Sequence, residues 1–153
     1  MQNLAQVMIS FADNGQPFSA MHVSQYSPQD FRMAIQTLMG ENRDALAYAL
    51  GDAGLALYPE SEDILAITSL LAVVREDWPQ AADLLRQLMD MQGAGATVFT
   101  HSMLIRSLRC NLDLAEAFEA CGVALAIYPN HPELLKEYEA LAEALGLGAV
   151  SRA

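Results

Sequence analysis

Apolar residues recur along most of this chain at steps of three and four, the spacing of amphipathic helices. The first stripe, Leu4, Val7, Met8 and Phe11, ends at Asn14-Gly15-Gln16-Pro17, and a loop then runs to about Ser27. Ser27-Pro28-Gln29-Asp30 supplies a cap hydroxyl, a proline for the first helical position and an early carboxylate. A helix is therefore predicted over 28–40, with Phe31, Ala34, Ile35, Leu38 and Met39 as its apolar residues. After the Glu41-Asn42-Arg43 turn, a second helix is predicted over 44–58, with Leu46, Leu50, Ala53 and Leu57 on one face and Pro59 as its stop.

Ser61 stands where it can cap a helix that begins with Glu62 and Asp63 and is apolar on all sides over 64–74. Such a helix is either buried on most sides or leaves a binding surface in the open. Asp77-Trp78-Pro79-Gln80 and Asp113-Leu114-Ala115-Glu116 each set an aspartate three residues before Gln or Glu, the pattern of a capping box, and open helices to Met91 and Tyr128. Between them, Gly93-Ala94-Gly95 turns the chain into a helix over 97–109 carrying Met103, Leu104 and Leu108. A last helix over 132–145 follows Asn130-His131 and ends at Gly146, leaving residues 146–153 as a flexible tail.

The helices repeat. ALAYALGDAGLALYP (45–59) lies on AEAFEACGVALAIYP (115–129) without a gap, matching Ala45 with Ala115, Ala47 with Ala117, Leu55 with Leu125, Ala56 with Ala126, Tyr58 with Tyr128 and Pro59 with Pro129. The step from Ala45 to Ala115 fits two periods of a helical hairpin repeated about every 34 residues, and the helix that begins at Trp78 falls midway, as such a repeat requires. Gly51 and Gly54 cost helix stability, about 1 kcal/mol each, and are read as places where two helices approach closely.

In these features the chain resembles the tetratricopeptide repeat (TPR) family over roughly residues 28–145. In the first unit Phe31 takes the aromatic position and Ala47, Gly54 and Pro59 the small and terminal ones; in the third, Leu104, Ala117, Ala124 and Pro129 fit. The middle unit keeps Ser69 and Ala81 but has Leu88 and Gly93 in place of Ala and Pro. The resemblance implies an all-α fold: a right-handed superhelix of about three hairpins (28–61, 62–97, 98–131), preceded by an N-terminal helix and linker (1–27) and closed by a capping helix (132–145). The N-terminal helix either caps the near end or pairs with a second subunit.

The resemblance further implies a concave groove lined by the first helix of each unit. The positions that face a bound peptide are Gln29, Arg32, Gln36 and Met39; Asp63, Ala66, Leu70 and Val73; Phe99, Ser102, Arg106 and Arg109. Arg106 and Arg109, three apart, either grip a partner carboxylate, pair with Glu116 or Glu119, or only solubilise the helix. Ala66, Leu70 and Val73 either receive an apolar anchor or belong to the core. Trp78 either staples its turn or touches a ligand. Met8, Met21, Met33 and Met39 either fill an irregular core or form an adaptable surface.

Composition narrows the partners. Nineteen acidic residues against eight basic ones leave a net charge of −11, a field that repels nucleic acid and anionic membranes. No apolar run reaches the ~20 residues of a membrane span, and residues 1–10 lack the basic start of a signal peptide, so a cytoplasmic protein is expected. Cys110 and Cys121 show no metal-ligand spacing and are expected to be buried thiols. His22, His101 and His131 are scattered, and no nucleophile, metal or phosphate motif occurs. The chain is thus expected to bind protein without catalysis or cofactor, as a scaffold or chaperone similar in size and acidity to small TPR-type bacterial secretion chaperones. The alternative is a self-associating, dimeric structural subunit.

Overall fold

A computed structural model describes residues 3–147, and all regular structure among them is helical. The helices are α1 (Leu4–Asp13), α2 (Pro28–Gly40), α3 (Asp44–Leu57), α4 (Glu62–Val74), α5 (Trp78–Gln92), α6 (Val98–Cys110), α7 (Leu114–Ile127) and α8 (Pro132–Ala144). The expected flexible tail lies outside the described residues from 148 onward. Short 3-10 turns occupy Ala20–Val23 and Gly93–Gly95, the first within what the sequence reads only as loop.

Local chemistry explains the helix starts. The Ser27 hydroxyl accepts from the Asp30 N–H at 3.2 Å while the Asp30 carboxylate accepts from the Ser27 N–H at 3.0 Å, a complete capping box. The Asp77 carboxylate accepts from the Gln80 N–H at 3.4 Å. Asp113 differs from expectation: its side chain makes no cap bond, because the Asn111 amide donates to it at 2.8 Å and holds the carboxylate in the turn.

The connections after α2, α4 and α6 share one backbone device. Asn42, Glu76 and Leu112 adopt left-handed φ values of 61°, 59° and 64° after α2, α4 and α6. The next residue's N–H then reaches back five positions, Arg43 to Leu38, Asp77 to Ala72 and Asp113 to Leu108, at 2.8, 2.9 and 2.9 Å. This is a Schellman closure, satisfying a carbonyl the helix end would leave bare. The weakly matched middle unit thus carries the same turn as its neighbours.

The chain packs as two compact units, Met1–Leu71 and Ala72–Ala153. In the first, α1 packs on α2 and α3, and the Ala20–Val23 turn packs on α3. Leu4, Met8, Val23, Phe31, Ile35, Leu38, Leu50, Ile64 and Leu71 form its core. Both α3 glycines serve close approach: a Cβ on Gly51 would meet the Leu71 Cδ1 at 2.9 Å, and one on Gly54 would meet Ile64 and the Phe31 ring at 3.1 Å. The methyl end of Leu71 can move aside, whereas the Phe31 ring is fixed. Gly51→Ala is accordingly expected to change stability by less than about 1 kcal/mol, and Gly54→Val to cost about 2–3 kcal/mol through overpacking, read as the shift in denaturant midpoint.

In the second unit α5 packs on α6, α6 on α7 and α7 on α8. Leu85, Leu104, Ile105, Leu108, Ala117, Cys121, Ala124, Leu134 and Leu141 form its core. The matched tyrosines act alike in their separate units. Tyr58 donates its hydroxyl to the Tyr26 carbonyl, and Tyr128 donates to the Ala96 carbonyl at 2.7 Å. Each tie closes a hairpin onto the residue just before its own cap, Ser27 or Thr97. Cys121 is buried, donates to the Leu134 carbonyl at 3.3 Å, and has its thiol pushed up to about 11 by burial and by the charge of Glu137. Cys110 is exposed at the end of α6, so the expectation of two buried thiols holds for Cys121 alone.

Candidate functional site

In the first unit the groove positions partly satisfy one another. Arg32 on α2 reaches Asp63 on α4, with a guanidinium nitrogen 3.0 Å from a carboxylate oxygen, so two residues expected to face a ligand form an ion pair. The Arg32 Nε is buried without a hydrogen-bond partner. Gln29 and Gln36 are exposed, and Met39 is half-buried against the core. Along α4, Val73 is buried while Ala66 and Leu70 are half-buried, Leu70 against the core of the first unit.

The second unit leaves more in the open. Phe99, in the first turn of α6, is 61% exposed. Ser102 is half-buried, and Arg106 and Arg109 are exposed. Steps of three, four and three place all four on one stripe of the helix. The two arginines have different surroundings. Arg109 pairs with Glu137 of α8. The Arg106 guanidinium carbon lies 5.8 Å from the centre of the Trp78 ring, a cation–π arrangement worth about 0.5–1 kcal/mol at an exposed site. Among the described residues no carboxylate is within ion-pair reach of Arg106.

Neither arginine takes the partner considered from sequence. Glu116 is held by Arg86 of α5, and Arg109 goes to Glu137 rather than Glu119. Trp78 proves to be the platform for Arg106. The sequence contains a signal for this: Trp78 begins α5 and Arg106 lies in the C-terminal half of α6, positions that meet when two neighbouring helices run antiparallel.

The histidines serve three separate local roles. His22 Nδ1 accepts from the Ser19 N–H at 3.0 Å, and His131 Nδ1 accepts from the Leu134 N–H at 3.4 Å to cap α8. His101 is buried, with its ring edge-on to Tyr128 at 6.0 Å and 75°, as Phe31 lies on Tyr58 at 5.8 Å and 81°. It follows Phe31 by the same step that separates Ala115 from Ala45, and so takes the aromatic place of the repeat. Its Nε2 has no hydrogen-bond partner, and burial pushes its pKa below the ordinary value of 6.5. Among the described residues no group of three His, Cys, Asp or Glu could hold a metal ion, and no helix is long and apolar enough to cross a membrane.

Helical hairpins closed by one recurrent turn, with Ala47, Gly54, Ala117 and Ala124 buried along α3 and α7, define an all-α, TPR-like repeat fold. Among solved structures, the TPR-type protein MamA shares it. "MamA MSR-1 C2" superimposes with a TM-score of 0.72 at 16% identity over 94% of this chain and 86% of that one, and "MamA D159K mutant 1" with 0.72 at 16% over 95% and 87%. No protein-family model and no curated protein sequence matches the chain.

Proposed function

We propose that this protein is an interaction scaffold that holds a segment of a partner protein against the first helices of its hairpins, and that it acts by binding rather than by catalysis. The α6 stripe carries the proposal. There an exposed Phe99 is followed two turns on by Arg106, a cation braced by Trp78 and unclaimed by any carboxylate among the described residues. In a chain of net charge −11, such a cation beside an apolar anchor suits a partner segment with an apolar residue and a carboxylate. Ser102 and Arg109 supply further contacts on the same α6 stripe in this reading, with Arg109 releasing Glu137 or using it as a brace.

With the partner recovered from the native cell and titrated against pure protein, Phe99→Ala and Arg106→Glu are each expected to weaken binding roughly tenfold or more. Both residues are exposed, so the helical circular dichroism should be unchanged. Unaltered affinity in both variants removes the α6 stripe from the site. A cytoplasmic secretion chaperone is the narrower form of this reading, supported by acidity and TPR-like hairpins.

Self-association is the second reading, favoured by Met21 and Met33, which are 83% and 55% exposed. Deleting residues 1–27 is a poor test of it, since Leu4, Ala5, Met8 and Val23 belong to the core of the first unit. Mass in solution for Met21→Asp and Met33→Asp is the direct measurement: a dimer that persists in both variants rules out this surface.

A further inference from the structure

The face of α6 opposite the Phe99–Arg106 stripe forms the floor of a second depression. At 100° per residue, Leu104 and Leu108 point about 160° away from the mean direction of Phe99, Ser102, Arg106 and Arg109. They lie at the bottom of a cleft of about 450 Å³ between α5 and α7. Ala120 and Val123 form one wall, and Val123 is 55% exposed although it is the largest apolar side chain on that wall.

The charges around this cleft are unequal. Among the described residues Arg86 is the one cation lining it, and it is already claimed by Glu116, with Asp83 at 3.9 Å. Glu119, on the same rim, has no cation within ion-pair reach among the described residues. A second copy of this chain would bring the same carboxylates to the same rim and be repelled. An acidic segment would meet the same obstacle. An apolar floor under an uncompensated carboxylate instead suits a cationic amphipathic segment.

We propose that the α5–α7 cleft is a second docking surface, distinct from the α6 stripe, and that it takes a basic amphipathic helix from another protein. An apolar side chain of that helix seats against Val123, Leu104 and Leu108, and a Lys or Arg about one helical turn away reaches Glu119, roughly 6 Å along α7 from Val123. With a ligand on each face of α6, the protein would bridge two chains of opposite local charge.

The probe is a fluorescein-labelled helical peptide of leucine and lysine, about 18 residues long, with a leucine/glutamate peptide of the same pattern as its counterpart. Glu119→Lys and Val123→Arg alter exposed positions, and Glu41→Lys makes the same charge change at an exposed site in the other unit. By fluorescence anisotropy, Glu119→Lys and Val123→Arg are each expected to weaken the lysine peptide roughly tenfold or more, while Glu41→Lys and Arg106→Glu leave it within about twofold. The glutamate peptide should not bind at this surface. Absence of binding to the wild-type chain, or equal weakening by Glu41→Lys and Glu119→Lys, overturns the proposal, the latter by revealing general attraction to an acidic protein. Loss of the native partner in Arg106→Glu with the lysine peptide still bound separates this surface from the α6 site.

Discussion

Phe31→Ala is expected to destabilise the first unit by about 3–5 kcal/mol, a large share of the 5–15 kcal/mol that holds a domain of ordinary stability together. The ring is fully buried and meets the edge of Tyr58. Across the helix crossing it faces Gly54, which has no side chain to swing into the space. Ile35 and Leu38 are themselves fully buried, so neighbours that could collapse into the cavity are already committed. The cost extends beyond the ring, because Tyr58 is also the residue tied to the Tyr26 carbonyl. A denaturant titration followed by circular dichroism measures the loss, and a change below about 1 kcal/mol would show that the ring is not packed as described.

The second large effect concerns acid. His101 occupies in its unit the place of Phe31, but its imidazole can be protonated. Burial lowers its folded-state pKa below 6.5, so below that pH the unfolded chain takes up a proton that the folded chain refuses. From this group, stability is constant above pH 6.5 and falls as the pH drops below it, until the folded-state value is reached. The slope approaches about 1.4 kcal/mol per pH unit where the two states differ by a whole proton. His101→Phe restores the residue type of the first unit and removes both the orphaned Nε2 and the titration. It is expected to raise the melting temperature at pH 7 and to flatten the decline that begins below pH 6.5. A variant that declines as steeply as the wild-type chain there would place the acid sensitivity elsewhere.

Helix limits are legible in this sequence to within one or two residues because most helices begin with local chemistry: Ser27-Pro28, Ser61, Asp77, Thr97 and His131-Pro132 act on the backbone a few positions away. Where two local options compete, the pattern misleads, as when Asn111 takes the Asp113 carboxylate from its cap. The middle unit is hard to place by side chains, since Leu88 and Gly93 depart from the repeat, yet Glu76 makes the same left-handed turn as Asn42 and Leu112. Backbone closure there is less exacting about side chains than helix crossing is.

The candidate site was legible as a set of positions but not as a set of pairs. Arg32 with Asp63, Arg86 with Glu116 and Arg109 with Glu137 are joined across 31, 30 and 28 residues. Each pairing depends on which neighbouring helix a long side chain leans towards, and periodicity along one helix does not carry that information. The difference between Arg106, on an aromatic ring, and Arg109, on a carboxylate, belongs to the same class.

The spacing of the recurrent turns bears on how this chain tolerates changes of length. The step from Glu76 to Leu112 is longer by two than the step from Asn42 to Glu76, while α2, α4, α6 and α8 are each 13 residues long. The two additional residues are absorbed at the end of α5 and in the connection to α6, where Gly93, Ala94 and Gly95 are exposed and the space beside both glycines is empty. Lengthening an exposed connection is cheap, about 0.6 kcal/mol for each doubling. Insertions and deletions therefore have a natural outlet at this joint, whereas the turn after each of α2, α4 and α6 has none, because one added residue there would break the five-residue reach of its backbone bond.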